Sequence, residues 1–217
     1  MITTPDLIDS LVASAKPVRR LRPPAMRAAF WLLFATAIVT LLAVSHGLRP
    51  DIGARMQQPL FVGTLAASLL TAVLAAVAAF IVSLPDRSRM WLLLPAPALV
   101  LWLSTISYEC LTDWVSIQPE KIRLGEAADC FATLVLTSIP LWLAMLLMLR
   151  YVALLRSAAA AVAASLAVAA IASIALSLFH PLDASAMILM WNLGTAVLLV
   201  GLGGTFWEKM FSWVAPR

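Results

Sequence analysis

Charge is what this 217-residue chain has least of. Asp, Glu, Lys and Arg make up 12% of it, against about a quarter in a soluble globular domain. No ionisable side chain falls near the middle of any long apolar run. That disfavours pumps and proton relays, because an ionisable group in lipid is costly and survives for function. Cysteine is nearly absent, and the two present, Cys110 and Cys130, are too few for a disulfide scaffold. There is no phosphate-binding glycine loop, no zincin motif and no Ser/His/Asp set. An ordinary membrane enzyme is therefore disfavoured. The N-terminal MITTPDLIDSLVASAKPVRRLRPP is polar, so no cleavable signal peptide is expected and the first apolar segment should remain as an anchor.

What fills the chain instead is apolar: 63% of it, for a mean hydropathy of +0.97. A buried core cannot absorb that excess, so the expected fold is an all-α integral membrane protein. A spanning helix needs about 20 mostly apolar residues, and runs this rich in Ala and Leu satisfy their backbone in lipid only as helices. Six segments qualify, at 28–46, 60–84, 90–107, 131–149, 158–179 and 186–206, which predicts a bundle of six transmembrane helices. Pro95 and Pro97 predict a kink in the third, and Pro140 a bend in the fourth. The Ala- and Ser-rich fifth and the glycine-bearing sixth (Gly194, Gly201, Gly203, Gly204) are expected inside the bundle, where small residues let backbones approach. Trp31, Trp91 and Trp207 lie near span ends, as interfacial anchors would. Asn192, the most polar side chain well inside a span, is expected to hydrogen-bond between helices.

Basic residues are retained on the cytoplasmic side. With six spans, the side holding both termini carries eleven (Lys16, Arg19, Arg20, Arg22, Arg27, Arg87, Arg89, Arg150, Arg156, Lys209, Arg217). The other side carries only Arg49, Arg55, Lys121 and Arg123. Both termini are therefore expected in the cytoplasm. The organisation that follows is a cytoplasmic N-terminal segment, 1–27, a transmembrane domain, 28–207, with an outer polar loop at 108–130, and a short cytoplasmic tail, 208–217.

Two places carry chemistry. Thr4 can cap a short helix opened by Pro5, with Asp6 at its positive end. Leu7, Ile8, Leu11 and Val12 form one apolar stripe, while Asp6, Asp9 and Ser10 face away. Such a helix, followed by the proline-broken basic run KPVRRLRPP, reads either as a membrane-surface element or as a recognition peptide folding against a cytoplasmic partner. The second place is the outer loop, with Cys110 and Cys130 at its two ends on the oxidising side of the membrane. They are either a staple between the third and fourth spans or a reactive pair open to oxidation or soft-metal capture. His46 and His180 close the first and fifth spans on the same side. Cysteine and histidine together suit zinc, cadmium or copper, bound transiently; a polar rim role is the alternative for both histidines, and no resident cofactor is required.

TPDLIDSLVASAKPVRRLRPP, the cysteine-flanked loop and FHPLDASAMILMWNLGT resemble the NrsF family over essentially the whole chain. Members are six-helix membrane anti-sigma factors of bacteria, negative regulators of a sigma factor of the extracytoplasmic-function class. The resemblance implies that Asp6 to Leu11, including Leu7 and Ile8, with Arg19, Arg20 and Arg22, hold the sigma factor at the inner membrane. It also implies that Cys110 and Cys130 sense heavy-metal or oxidative stress from the periplasm. His180, Asp183 and Trp191 match the family pattern, while Pro181 follows where some relatives carry a cysteine. The expected function is a non-enzymatic regulator that contacts a sigma factor and the bilayer but no nucleic acid. The alternative is a small transporter or permease subunit for a metal or hydrophobic solute, against which the lack of mid-span charge argues. A thiol-active membrane enzyme would need a second thiol pair or a quinone site, and neither is found.

Overall fold

The computed structural model describes residues 4–14, 22–84, 86–114, 124–149 and 157–179. Within these, the side chains of Leu11, residues 108–131 and residues 157–158 lie outside the described set. Every regular element among the described residues is helical. In chain order they are α1 (Thr4–Ser14), α2 (Pro24–His46), α3 (Ile52–Arg55), α4 (Pro59–Val82), α5 (Ala96–Trp114), α6 (Leu124–Leu149) and α7 (Ser157–Phe179). A 3-10 turn, Arg89–Leu93, precedes α5.

Among the described residues, five helical stretches are long and apolar enough to cross a membrane: Pro24–His46, Pro59–Val82, Arg89–Ser107, Ala132–Leu149 and Ala159–Phe179. They correspond to the first five expected spans. The expected sixth, 186–206, with Asn192 and Trp207, lies outside the described residues. Pro24 and Pro59 stand in the first turns of α2 and α4, where a missing N–H costs nothing. Gly47 ends α2 at φ 79°, returning its N–H to Ala43 O at 3.1 Å; a residue with a Cβ is strained there.

The prolines of the third span act differently from the expected kink. Ser88 Oγ accepts from the Met90 N–H at 3.2 Å and opens the 3-10 turn. The α-helix begins only at Ala96, between Pro95 and Pro97. The break is thus a change of helix type at the span's start, where donors are missing anyway. Pro140 does sit inside continuous α6, and its missing N–H deprives the Leu136 carbonyl of its intrahelical donor.

The centre of the bundle is the α4/α7 pair. Ala67, Ala72, Ala75, Ala76, Ala78 and Ala79 of α4 and Ala160, Ala163, Ala164, Ala167 and Ala170 of α7 are all buried, so the Ala-rich segment does pack inside. Lipid offers no hydrophobic drive between helices, and small side chains gain instead by close van der Waals approach. Around this pair, α5 packs on α4, α6 on α7 and α2, and α2 on α4. Although consecutive, α5 and α6 share no extended interface among the described residues.

Trp31 departs from its expected place in an interfacial belt. It is 0% exposed, and its Nε1 donates to the Leu141 main-chain oxygen on α6 at 3.1 Å. Trp91, on the 3-10 turn, is exposed as an anchor would be. Trp31→Ala is expected to destabilise the bundle by about 3 kcal/mol, since the emptied volume can only partly collapse. Trp31→Phe, which keeps most of the volume, should cost about 1 kcal/mol. Reversible denaturation in mixed micelles would separate the two, and equal losses would contradict the packing assignment.

Candidate functional site

The N-terminal helix stands apart from the bundle. It covers Thr4–Ser14 with Asp6 in its first turn, so Thr4 lies within the helix instead of preceding it. Every α1 side chain described is exposed, including Leu7 at 49%, Ile8 at 55% and Val12 at 69%. The three share one helical face, and α1 makes no extended contact with any other described element. Eleven residues are too few for a stable helix in water without a packing partner. An apolar stripe of this kind awaits a surface.

The guanidinium of Arg22, two residues before α2, lies 5.1 Å over the Phe30 ring of that helix. Of the three arginines expected to meet a partner, Arg22 is thus held by the chain itself; Arg19 and Arg20 lie outside the described residues. Arg27 is the residue that the sequence reading undervalued. Counted there only as a cytoplasmic charge ahead of the span, it lies inside α2 and is 7% exposed. Its Nη2 donates to the Met148 main-chain oxygen in the last turn of α6, and its guanidinium lies 4.8 Å over the Phe80 ring of α4. The last four carbonyls of a helix lack intrahelical donors, so an arginine there satisfies an orphan acceptor.

These contacts fix the two ends of the bundle. Arg27 joins the start of α2 to the end of α6, so the two run antiparallel. At the opposite, distal end, the Arg49 N–H donates to Leu178 O of α7 at 3.1 Å. The distal end therefore gathers His46, the start of α6 and the end of α7. Ser45 Oγ lies 2.9 Å from Nδ1 of His46, which is exposed. His180 follows directly on α7 but lies outside the described residues, as do Asp183 and Trp191.

The thiol positions differ from the sequence reading. Residues 108–130 are not all loop: α5 runs on to Trp114 and α6 starts at Leu124. Cys110 therefore lies within α5 and Cys130 within α6. Each thiol position is thus borne by a helix. Among the described residues no three His, Cys, Asp or Glu side chains converge on a metal-sized site; of the four expected ligands only His46 has a described side chain.

Three residues past His46, buried Arg49 donates to both carboxylate oxygens of Asp51, at 2.6 and 2.8 Å, and Arg55 approaches it at 3.6 Å. The hydrogen bond from Arg49 holds the Asp51 carboxyl below its ordinary value, with attraction to Arg49 and Arg55 adding to it. A depressed folded-state value stabilises the fold fully above the ordinary carboxylate value, about 3.9, and loses that contribution as pH falls through the folded value. The stability difference between wild type and Asp51→Asn should therefore be constant from neutral pH to about 5 and shrink below about 4. Thermal unfolding across that range is the check; a difference growing on acidification would refute the clasp.

Several hydroxyls within the spans are turned to their own helices. Thr71 Oγ1 donates to Ala67 O at 2.8 Å, Thr137 Oγ1 to Thr133 O at 2.7 Å and Ser68 Oγ to Leu65 O at 2.9 Å.

A comparison with protein families matches residues 11–213 to the model described as NrsF, negative regulator of sigma F. The chain belongs to the NrsF family. Its family function is negative regulation of a sigma factor, which makes a sigma factor its partner. The NrsF match takes in Arg19, Arg20, Arg22, both cysteines and His180 but opens at residue 11, so Asp6, Leu7 and Ile8 precede it. For those three the exposed stripe of α1 is the supporting observation. Comparisons with curated proteins and with solved structures return no match.

Proposed function

We propose that this chain is an inner-membrane anti-sigma factor that crosses the bilayer six times with both termini in the cytoplasm. It holds a sigma factor of the extracytoplasmic-function class on α1, through Leu7, Ile8 and Leu11 with Asp6, aided by Arg19, Arg20 and Arg22. It releases that factor when Cys110 and Cys130 meet a soft metal ion or an oxidant in the periplasm. The observation that carries the reading is the unpacked apolar stripe of α1 in a chain of the NrsF family. Helix-in-groove docking would cover that stripe and supply the packing that α1 lacks. The excess of basic residues on the side of the termini supports the orientation.

The thiol step balances in either form. A peroxide takes two electrons and two protons from the pair as the S–S bond forms, and is reduced to water. A metal ion instead displaces the two thiol protons and forms two metal–thiolate bonds; His46, with Nδ1 beside Ser45, would offer Nε2 as a third ligand. Either product draws the distal ends of α5 and α6 together. Those helices lean on different neighbours, so the bond would shift one against the other instead of tightening an existing seam. The signal then favours whichever state brings the thiols close.

The test is capture of the cognate sigma factor on the immobilised full-length chain in lipid nanodiscs. Stoichiometric capture, reversed by oxidant or by cadmium, supports the reading. A folded chain that retains no sigma factor overturns it.

A further inference from the structure

One side chain at the proximal end belongs to three helices at once. Arg27 sits on α2, donates to the Met148 oxygen at the end of α6 and covers the Phe80 ring of α4. Positive-inside retention requires none of this, since a basic residue serving topology alone can remain in water. Arg27 is instead 7% exposed, and burying a guanidinium is costly without such partners. One turn further along, Trp31 donates to Leu141 O, next to Pro140. The same face of α2 is thus hydrogen-bonded twice to the part of α6 that follows the proline. Between Arg22, held over Phe30, and the end of α1 only residues 15–21 intervene. Fully extended, seven residues span at most about 25 Å, so the position of α2's first turns limits where α1 is presented.

We propose that Arg27 is a positioning residue: it makes the proximal end of α6 and the segment bearing α1 move as one. A displacement of α6 then reaches α1 through a charge-assisted bond to a main-chain oxygen, with the Phe80 ring holding the guanidinium in line. The inference deepens the anti-sigma reading and rests on it for the meaning of α1, but not for the coupling itself.

A double-mutant cycle in the full-length chain tests the coupling. Pro140→Ala restores the donor to the Leu136 carbonyl and so alters α6 away from the Arg27 joint at Met148 while changing no residue of α2. The readout is hydrogen–deuterium exchange of residues 22–30 in nanodiscs, for wild type, Arg27→Ala, Pro140→Ala and the double variant, with Arg27→Lys as the conservative partner. Arg27→Ala should raise exchange roughly ten-fold, and Arg27→Lys by less, because an ammonium still reaches a carbonyl. Pro140→Ala should change exchange by about three-fold or more when Arg27 is present, and by clearly less in the Arg27→Ala background, where the Trp31 bond to Leu141 O still joins the two helices. Equal effects of Pro140→Ala in both backgrounds, no effect of it with Arg27 in place, or unchanged exchange in Arg27→Ala would each overturn the proposal. No sigma factor enters the measurement, so a chain that fails to capture one sinks the functional reading and leaves this result standing.

Discussion

Leu7→Asp is expected to set the sigma factor free while the membrane domain folds and inserts as before. The leucine is about half exposed on α1, and α1 makes no extended contact with any other described element, so the substitution should remove little from the bundle. What it removes is a side chain that a partner's groove would bury, worth about 1.5–3 kcal/mol. It also places a carboxylate where an apolar groove must desolvate it, a further penalty of about 1–3 kcal/mol. Together these amount to a loss of affinity of about a hundred-fold or more. Binding of the cognate sigma factor to the full chain in nanodiscs measures this directly, and a sigma-dependent reporter at matched protein level measures it in cells. Ser10→Asp, on the other face of the helix, is the control and should leave both readouts within about two-fold of wild type. If Leu7→Asp still represses, the stripe of α1 is not the contact, whatever the family's function.

Replacing either cysteine should remove the response to metal and oxidant, and replacing both should do no more than replacing one. A single bond between two thiols disappears entirely with the first substitution, so the effects are non-additive. Because the bond or metal bridge forms on signalling, Cys110→Ser and Cys130→Ser abolish induction and leave the sigma factor held; constitutive release in either variant would contradict that order of events. A closed loop of this size contributes about 3 kcal/mol on the chain-entropy model. That is enough to move a two-state equilibrium about a hundred-fold. Wild-type induction across metals and oxidants in both variants would leave the cysteines with a stapling role alone.

The spans were legible because their signal is length and hydropathy, which lipid imposes on any helix crossing it. Five of six expected segments reappear within a few residues of their predicted ends. The ends themselves were not legible where helices leave the bilayer. Glu109, Asp113, Glu126 and Asp129 read as loop because they are polar, yet in water a helix tolerates them, and α5 and α6 carry on past both cysteines. Trp31 and Arg27 failed for a related reason. An aromatic or a basic residue near a span end suits the interface so well that sequence alone assigns it there. Only the neighbouring Leu141 and Met148 carbonyls, more than a hundred residues away along the chain, show that both face protein. The α1 stripe was legible from spacing, because its residues meet one another on the helix and need no distant partner to be recognised.

The alanine seam between α4 and α7 has a consequence for how the protein is made. The first half of that seam ends at Val82 and the second begins at Ser157, so α4 leaves the ribosome well before its main neighbour exists. Until α7 enters the bilayer, α4's row of methyl groups faces lipid, with only α2 and α5 to lean on. The centre of the bundle is thus closed late in synthesis, after the flanking helices are already in place. A nascent chain halted between Val82 and Ser157 would present an uncovered small-residue face, the surface by which membrane quality control could tell an unfinished copy from a finished one.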